Sequence, residues 1–144
     1  MSAVFTDTSA LVKYYYPEEG SEEVEGILLK AERVYLCQVA TAEFASALMK
    51  KVRIGALEME VETLIWNTFL DDLDARQMDV IPLDDRHYQK AVEIIRGFGQ
   101  REGIRALDSL QLASALDVHD AKFLSADRLL SGLALKMGFN VLRI

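Results

Sequence analysis

The chain has 144 residues, 51% of them hydrophobic, which is enough for one domain with a real core and too apolar for a disordered tail. Its net charge of −7 lies in the first half: residues 1–72 hold 6 Lys and Arg against 13 Asp and Glu, and residues 73–144 hold 10 of each. This excludes a generally basic surface, so contact with a phosphate backbone needs local basic patches or bound cations.

The single cysteine, Cys37, rules out an intrachain disulfide and suits a reducing compartment. The first residues lack the charged and apolar regions of a signal peptide, and no stretch approaches a membrane span. The expectation is one cytoplasmic domain over residues 1–144, with no membrane partner.

In chain order, Ala3-Val4-Phe5-Thr6 is a short apolar run that ends at Asp7. It reads as a buried parallel strand that delivers an acid to the end of a sheet. Ser9–Tyr16 reads as a short helix stopped by Pro17. Within it, at least two of Tyr14, Tyr15 and Tyr16 are expected to pack, with base stacking as the alternative. After a turn at Glu18–Ser21, residues Val24, Ile27, Leu28 and Ala31 mark an amphipathic helix, with Ser21 at its start and acids in its first turn.

Arg33–Cys37 is the second strand, where Cys37 reads as a small buried hydrophobe. A helix follows from Thr41 to about Arg53. Another spans Leu57–Leu73, with a stripe of Leu57, Val61, Leu64, Ile65, Phe69 and Leu73, and Trp66 beside it. Asp79–Pro82 is the third strand, with Pro82 at its end. Asp84 or Asp85 caps the next helix, striped by Tyr88, Ala91, Val92, Ile94 and Ile95. A looser basic stretch with Arg96, Arg101 and Arg105 leads to a helix over Leu107–Val118. Lys122–Ser125 is the fourth strand, Arg128–Met137 a helix closed by Gly138, and Phe139–Leu142 the last strand. Alternating strands and helices predict an α/β fold with a mainly parallel central sheet flanked by helices, its site outside the carboxyl ends of the strands.

Asp7 and Asp127 each fall just past a predicted strand. Each also suits a helix N-cap, as does Asp108, with Gln111 three residues on as the partner of a capping box. Glu43 is harder to explain as a cap. At helical spacing it shares a face with Val39, Ala40, Ser46 and Ala47, where a charge is normally paired or bound to metal. If the four acids meet, they need a cation, because clustered carboxylates otherwise repel and take up protons. His87 and His119 are isolated and read as surface or helix-end residues. With no His or Cys cluster, an all-oxygen site favours Mg²⁺ or Mn²⁺, and such ions complete their shell with water and phosphate. Two-metal or one-metal phosphoryl chemistry follows from that donor set.

Asp7-Thr8-Ser9-Ala10-Leu11, Ala42-Glu43-Phe44, Leu107-Asp108-Ser109-Leu110-Gln111-Leu112-Ala113 and Ser125-Ala126-Asp127, in that order, resemble the motifs of PIN-domain ribonucleases. Their spacing and the chain length are similar to the VapC-type toxins of toxin–antitoxin pairs. The resemblance implies a PIN-like parallel-sheet fold and a Mg²⁺ or Mn²⁺ pocket built from Asp7, Asp108, Asp127 and Glu43. It also implies endonucleolytic cleavage of RNA, a homodimer, and a small antitoxin protein that blocks the pocket. Thr8, Ser9 and Ser125 match hydroxyl positions beside the site, where they would orient a carboxylate or a water. Helix-start hydrogen bonds explain them equally well.

Lys13, Lys50, Lys51, Arg53, Arg86, Arg105 and Arg128 are candidates for phosphate contacts, each with plain solvation as the alternative. Two other readings compete. A phosphatase with Asp7 as nucleophile would resemble the haloacid-dehalogenase group, but Ser9 stands where that group carries a second Asp. A non-catalytic PIN-fold module that binds RNA or protein has no need of an intact set of acids.

Overall fold

The structure is a computed structural model that describes residues 2–144. Among these residues the chain forms five strands and seven α-helices in strict succession along most of its length. The elements are β1 (Ala3–Thr6), α1 (Thr8–Tyr15), α2 (Ser21–Lys30), β2 (Arg33–Cys37), α3 (Gln38–Arg53), α4 (Met59–Asp74), β3 (Asp79–Ile81), α5 (Asp85–Phe98), α6 (Ala106–Ala115), β4 (Lys122–Ser125), α7 (Arg128–Lys136) and β5 (Val141–Arg143). A 3-10 turn, Leu116–Val118, extends α6.

All strand pairings are parallel, in the order β3-β2-β1-β4-β5. The chain therefore builds outward from β1 to β3 and returns to the other side of β1 with β4. Strand order reverses between β1 and β4, and the crevice at their carboxyl ends is where an open α/β sheet presents its site. The Asp7 backbone N–H donates to the Leu124 carbonyl at 3.1 Å, which carries the β1–β4 ladder up to that crevice.

The inner strands β1, β2 and β4 are short and mostly apolar because both of their faces are covered, while the edge strands β3 and β5 are only partly buried. Alternating residues divide between two cores: Val4, Val34, Leu36 and Leu124 pack with α1–α4, and Phe5, Cys37, Ile81 and Phe123 pack with α5–α7. Cys37 is fully buried and its thiol donates to the Leu110 carbonyl, the small-hydrophobe role expected of it. On the first face Tyr15, Phe44, Trp66 and Phe69 form an aromatic cluster with ring centroids 4.8–6.1 Å apart. Tyr14 packs edge-on to Tyr15, and the Lys51 ammonium sits over the Tyr16 ring, so the tyrosines serve packing rather than an open stacking platform.

The largest departure from expectation is in α4. Val61 and Leu64 are 45% and 66% exposed, whereas Glu62 is only 4% exposed. The buried face runs through Glu62, Ile65, Trp66, Phe69 and Leu73, rotated from the expected stripe. The reason is that α4 packs chiefly against α3, so a narrow face suffices and apolar residues to one side stay in water. Smaller shifts have local causes. Helix α3 starts at Gln38, because Cys37 is its N-cap and the Thr41 hydroxyl bonds back to the Gln38 carbonyl within the first turn. Helix α2 is capped by Gly20 at φ 89°, leaving Ser21 as its first residue. Pairing of β5 begins at Val141, since Phe139 turns down into the core.

His119 is exposed as expected, but His87 is a correction: it lies at a helix end and yet is only 4% exposed. The Asp84 backbone N–H donates to His87 Nδ1 at 3.0 Å, and the Asp84 carboxylate accepts from the Arg86 backbone N–H, so Asp84 and His87 close a capping box. An accepting Nδ1 leaves the ring proton on Nε2, which lies 2.6 Å from Asp117 Oδ2 in the turn after α6. One imidazole thus ties the start of α5 to the end of α6. His87→Leu is expected to cost about 1–2 kcal/mol in a denaturant titration, by orphaning one donor and one acceptor.

Candidate active site

Asp7, Thr8, Ser9, Glu43, Asp108, Gln111, Asp127 and Leu130 line one pocket of about 80 Å³ at the crevice between β1 and β4. Four chain segments deliver its acids. Asp7 follows β1 and is the N-cap of α1; Asp127 follows β4 and is the N-cap of α7. Glu43 lies in the second turn of α3, and Asp108 is the third residue of α6. The amino ends of α1, α6 and α7 meet here, so their positive dipole ends offset part of the carboxylate charge.

Asp7 and Asp127 each cap a helix and each line the pocket. The Asp7 Oδ1 accepts from the Ala10 backbone N–H at 3.0 Å and the Asp127 Oδ1 from Leu130 at 2.9 Å. For Asp108 the capping-box reading fails. The N-cap is Arg105, three residues earlier, which frees Gln111 from any capping role.

The hydroxyls act on the acids. Ser9 donates to Asp7 Oδ1 at 2.7 Å and accepts from the Ala126 backbone N–H at 2.9 Å, linking the two strand ends. Ser125 donates to Asp7 Oδ2 at 2.5 Å and accepts from the Asp127 backbone N–H. Thr8 donates to Glu43 Oε1 at 2.8 Å. Both oxygens of Asp7 are therefore held, which suits a fixed ligand and not a nucleophile that must turn toward a phosphorus atom. With Ser9 in the place of a second Asp, the phosphatase reading loses its geometric basis.

A cation would ease the electrostatics of the pocket. Asp7 is 1% exposed, and burial pushes its pKa from 3.8 to about 6 against the lowering effect of its hydrogen bonds, with the Asp127 charge adding to the rise. Burial also raises Asp108, with a further push from Asp127 and opposition from the Arg105 backbone and guanidinium. Among the described residues no three His, Cys, Asp or Glu side chains close on one point as a ready cage. An all-oxygen donor set spread around one pocket fits a hard divalent ion that keeps several waters and uses few protein ligands per ion.

The candidate phosphate contacts divide. Lys13 pairs with Glu18 and donates to the Glu19 carbonyl, Lys51 pairs with Glu18, and Arg86 pairs with Asp84. These three already have acidic partners within the fold. Lys50, Arg53, Arg105 and Arg128 form no ion pair among the described residues, and Arg105 and Arg128 adjoin the pocket as the N-cap of α6 and the first residue of α7.

Sequence reasoning missed Gln111 as a pocket residue. Its signal was present in the spacing: Asp108 and Gln111 stand three apart on one helix, hence on one face.

The PIN domain family model matches residues 4–136. The chain belongs to the PIN domain family. Among solved structures, it is similar to a chain of the FitAB complex bound to a DNA fragment, at 18% identity and a TM-score of 0.71, covering 97% of this chain and 94% of that one. It is also similar to VapBC2 from Rickettsia felis bound to a promoter DNA fragment, at 13% identity and a TM-score of 0.66, covering 98% of each chain. A third similar structure is VapBC-5 from Mycobacterium tuberculosis, of the VapBC family of toxin–antitoxin systems, at 19% identity and a TM-score of 0.62, covering 100% of this chain and 98% of that one. No curated protein matches. At these identities the structural likeness speaks to the fold, which is the α/β PIN architecture expected from the sequence. No helix among the described residues is long and apolar enough to cross a membrane.

Proposed function

We propose that this PIN domain is a metal-dependent endoribonuclease and the toxin of a toxin–antitoxin pair. The observation that carries the reading is the convergence of Asp7, Glu43, Asp108 and Asp127 on one pocket at the point where strand order reverses. Two of these acids are raised by burial and by Asp127, so a divalent cation would relieve a cost the fold already bears.

Asp7, Asp108, Asp127 and Glu43 would hold Mg²⁺ or Mn²⁺. When bound, such an ion orients a phosphodiester and lowers the pKa of an attacking water. The chain's own part is to fix the acids: Ser9 and Ser125 clamp Asp7, Thr8 holds one oxygen of Glu43, and the Asp127 backbone is tied to Ser125. Arg105 and Arg128, at the starts of α6 and α7, would supply positive charge beside the pocket for an RNA backbone. The toxin role and a small antitoxin partner rest on the family and on the toxin–antitoxin complexes that share the fold, and a homodimer rests on the motif resemblance alone.

The test is cleavage of pooled cellular RNA with Mn²⁺ or Mg²⁺. Activity is expected to stop with chelator and to drop about 100-fold or more in Asp108→Asn, the scale of losing a metal-site group. Cleavage that survives both changes would sink the nuclease reading. The toxin role is tested separately, by growth arrest on expression and its relief by a co-expressed small partner.

A further inference from the structure

The side chain of Gln111 is 1% exposed and has two unlike ends. Its Nε2 donates to Thr8 Oγ1 at 2.9 Å and to Glu43 Oε1 at 2.9 Å, using both amide hydrogens. Thr8 in turn donates to the same Glu43 Oε1 at 2.8 Å. The three groups form a closed ring in which one carboxylate oxygen receives two hydrogen bonds. The amide orientation follows from this chemistry, because turning it over would set the Gln111 carbonyl against the Glu43 carboxylate. Gln111 Oε1, by contrast, is buried beside the pocket with no partner among the described residues. A buried carbonyl without a donor destabilises a fold. Such a group persists where its other end does something that an apolar side chain of the same size could not.

We infer that Gln111 is a positioning residue for Glu43: with Thr8 it pins Oε1 as a structural acceptor, so that Glu43 serves the pocket through Oε2 alone. The ring makes the two oxygens of one carboxylate inequivalent. Oε1 takes both neutral donors, while Oε2 has no hydrogen-bond partner among the described residues. Glu43 would then offer the pocket one oxygen rather than two. The inference rests on the metal-site reading of Glu43 given above.

The test compares wild type with Gln111→Leu, which keeps the volume and removes both the pinning amide and the orphan carbonyl. A merely structural glutamine predicts a less stable variant with unchanged metal affinity. A positioning glutamine predicts the reverse: a melting temperature equal to or above wild type, with Mn²⁺ affinity by calorimetry reduced about 10-fold or more. Cleavage of RNA should show a fall in kcat with KM for RNA unchanged. A readout in the metal-free protein covers the geometry itself. The Gln111 side-chain amide protons should be protected from exchange in wild type and lose that protection in Thr8→Val and in Glu43→Ala. Equal Mn²⁺ affinity in Gln111→Leu and wild type, binding by neither included, overturns the inference, as does an unprotected Gln111 amide. A wild type that binds Mn²⁺ but leaves RNA intact defeats the nuclease reading, and the ratio of Mn²⁺ affinities still decides the role of Gln111.

Discussion

Asp7→Asn is expected to leave the metal-free protein more stable at neutral pH while abolishing divalent-ion binding and cutting RNA cleavage by about 100-fold or more. Stability and function part here because the fold buries a carboxylate that it does not neutralise. The asparagine Oδ1 can keep the bonds from Ser9 and Ala10, and its Nδ2 can donate to Ser125 Oγ, which then turns its own proton toward the Asp127 carbonyl. The geometry survives and the buried charge is gone.

The pH dependence has a definite sign. A carboxyl group whose pKa rises from 3.8 to about 6 on folding binds its proton more tightly in the folded state. Its ionisation therefore costs stability as pH climbs from about 4 through 6, by about 3 kcal/mol once pH 7 is reached. Asp108 is raised too and adds a contribution of the same sign. Denaturant titrations in chelator at pH 5 and pH 7.5 should show wild type weakening toward the higher pH and Asp7→Asn weakening less. An Asn variant less stable than wild type at pH 7.5 without metal would contradict this account of the pocket.

Phe44→Ala should be the most damaging core substitution, at about 3–5 kcal/mol. Phe44 is fully buried and its ring meets Tyr15, Trp66 and Phe69, with centroids at 5.4, 6.1 and 4.8 Å. It is the residue through which α1, α3 and α4 share one cluster. A loss of that size is a large part of the 5–15 kcal/mol typical of a domain, so unfolding near ambient temperature is the expected outcome. Phe44 also adjoins Glu43 on α3, so a helix that shifts to fill the cavity moves that carboxylate. Thermal unfolding and Mn²⁺ calorimetry on Phe44→Ala and Phe44→Leu should show the two losses together, with Leu milder in both. A stable Phe44→Ala variant would mean that the cluster contributes little.

Much of this molecule is legible before folding. The strands are short apolar runs ended by an acid, a polar residue or Pro82, and β2 and β4 fall where those runs predict. The acids carry two local signals at once, cap and ligand, and the sequence could not choose between them. Asp7 and Asp127 cap their helices through one oxygen each and also line the pocket, so the cap reading does not displace the other. For Asp108 the cap reading failed because Arg105, with no capping side chain, starts the helix. Helix α4 was misread because periodicity reports that a helix has an apolar face, not how wide a face its neighbour covers.

The sequence by itself determined the alternation of strand and helix, the placement of an acid after β1 and β4, and the family motif set. Those are local properties: side-chain period, cap chemistry and turn residues act over a few positions. Only the tertiary structure decided that β1 and β4 lie side by side, that Glu43 and Asp108 reach the same crevice, and that Lys13, Lys51 and Arg86 are already paired. It alone placed Gln111 between Thr8 and Glu43, 103 and 68 residues away in the chain. Contacts of that separation depend on how the sheet orders its strands and on what each helix packs against, and no local pattern encodes either.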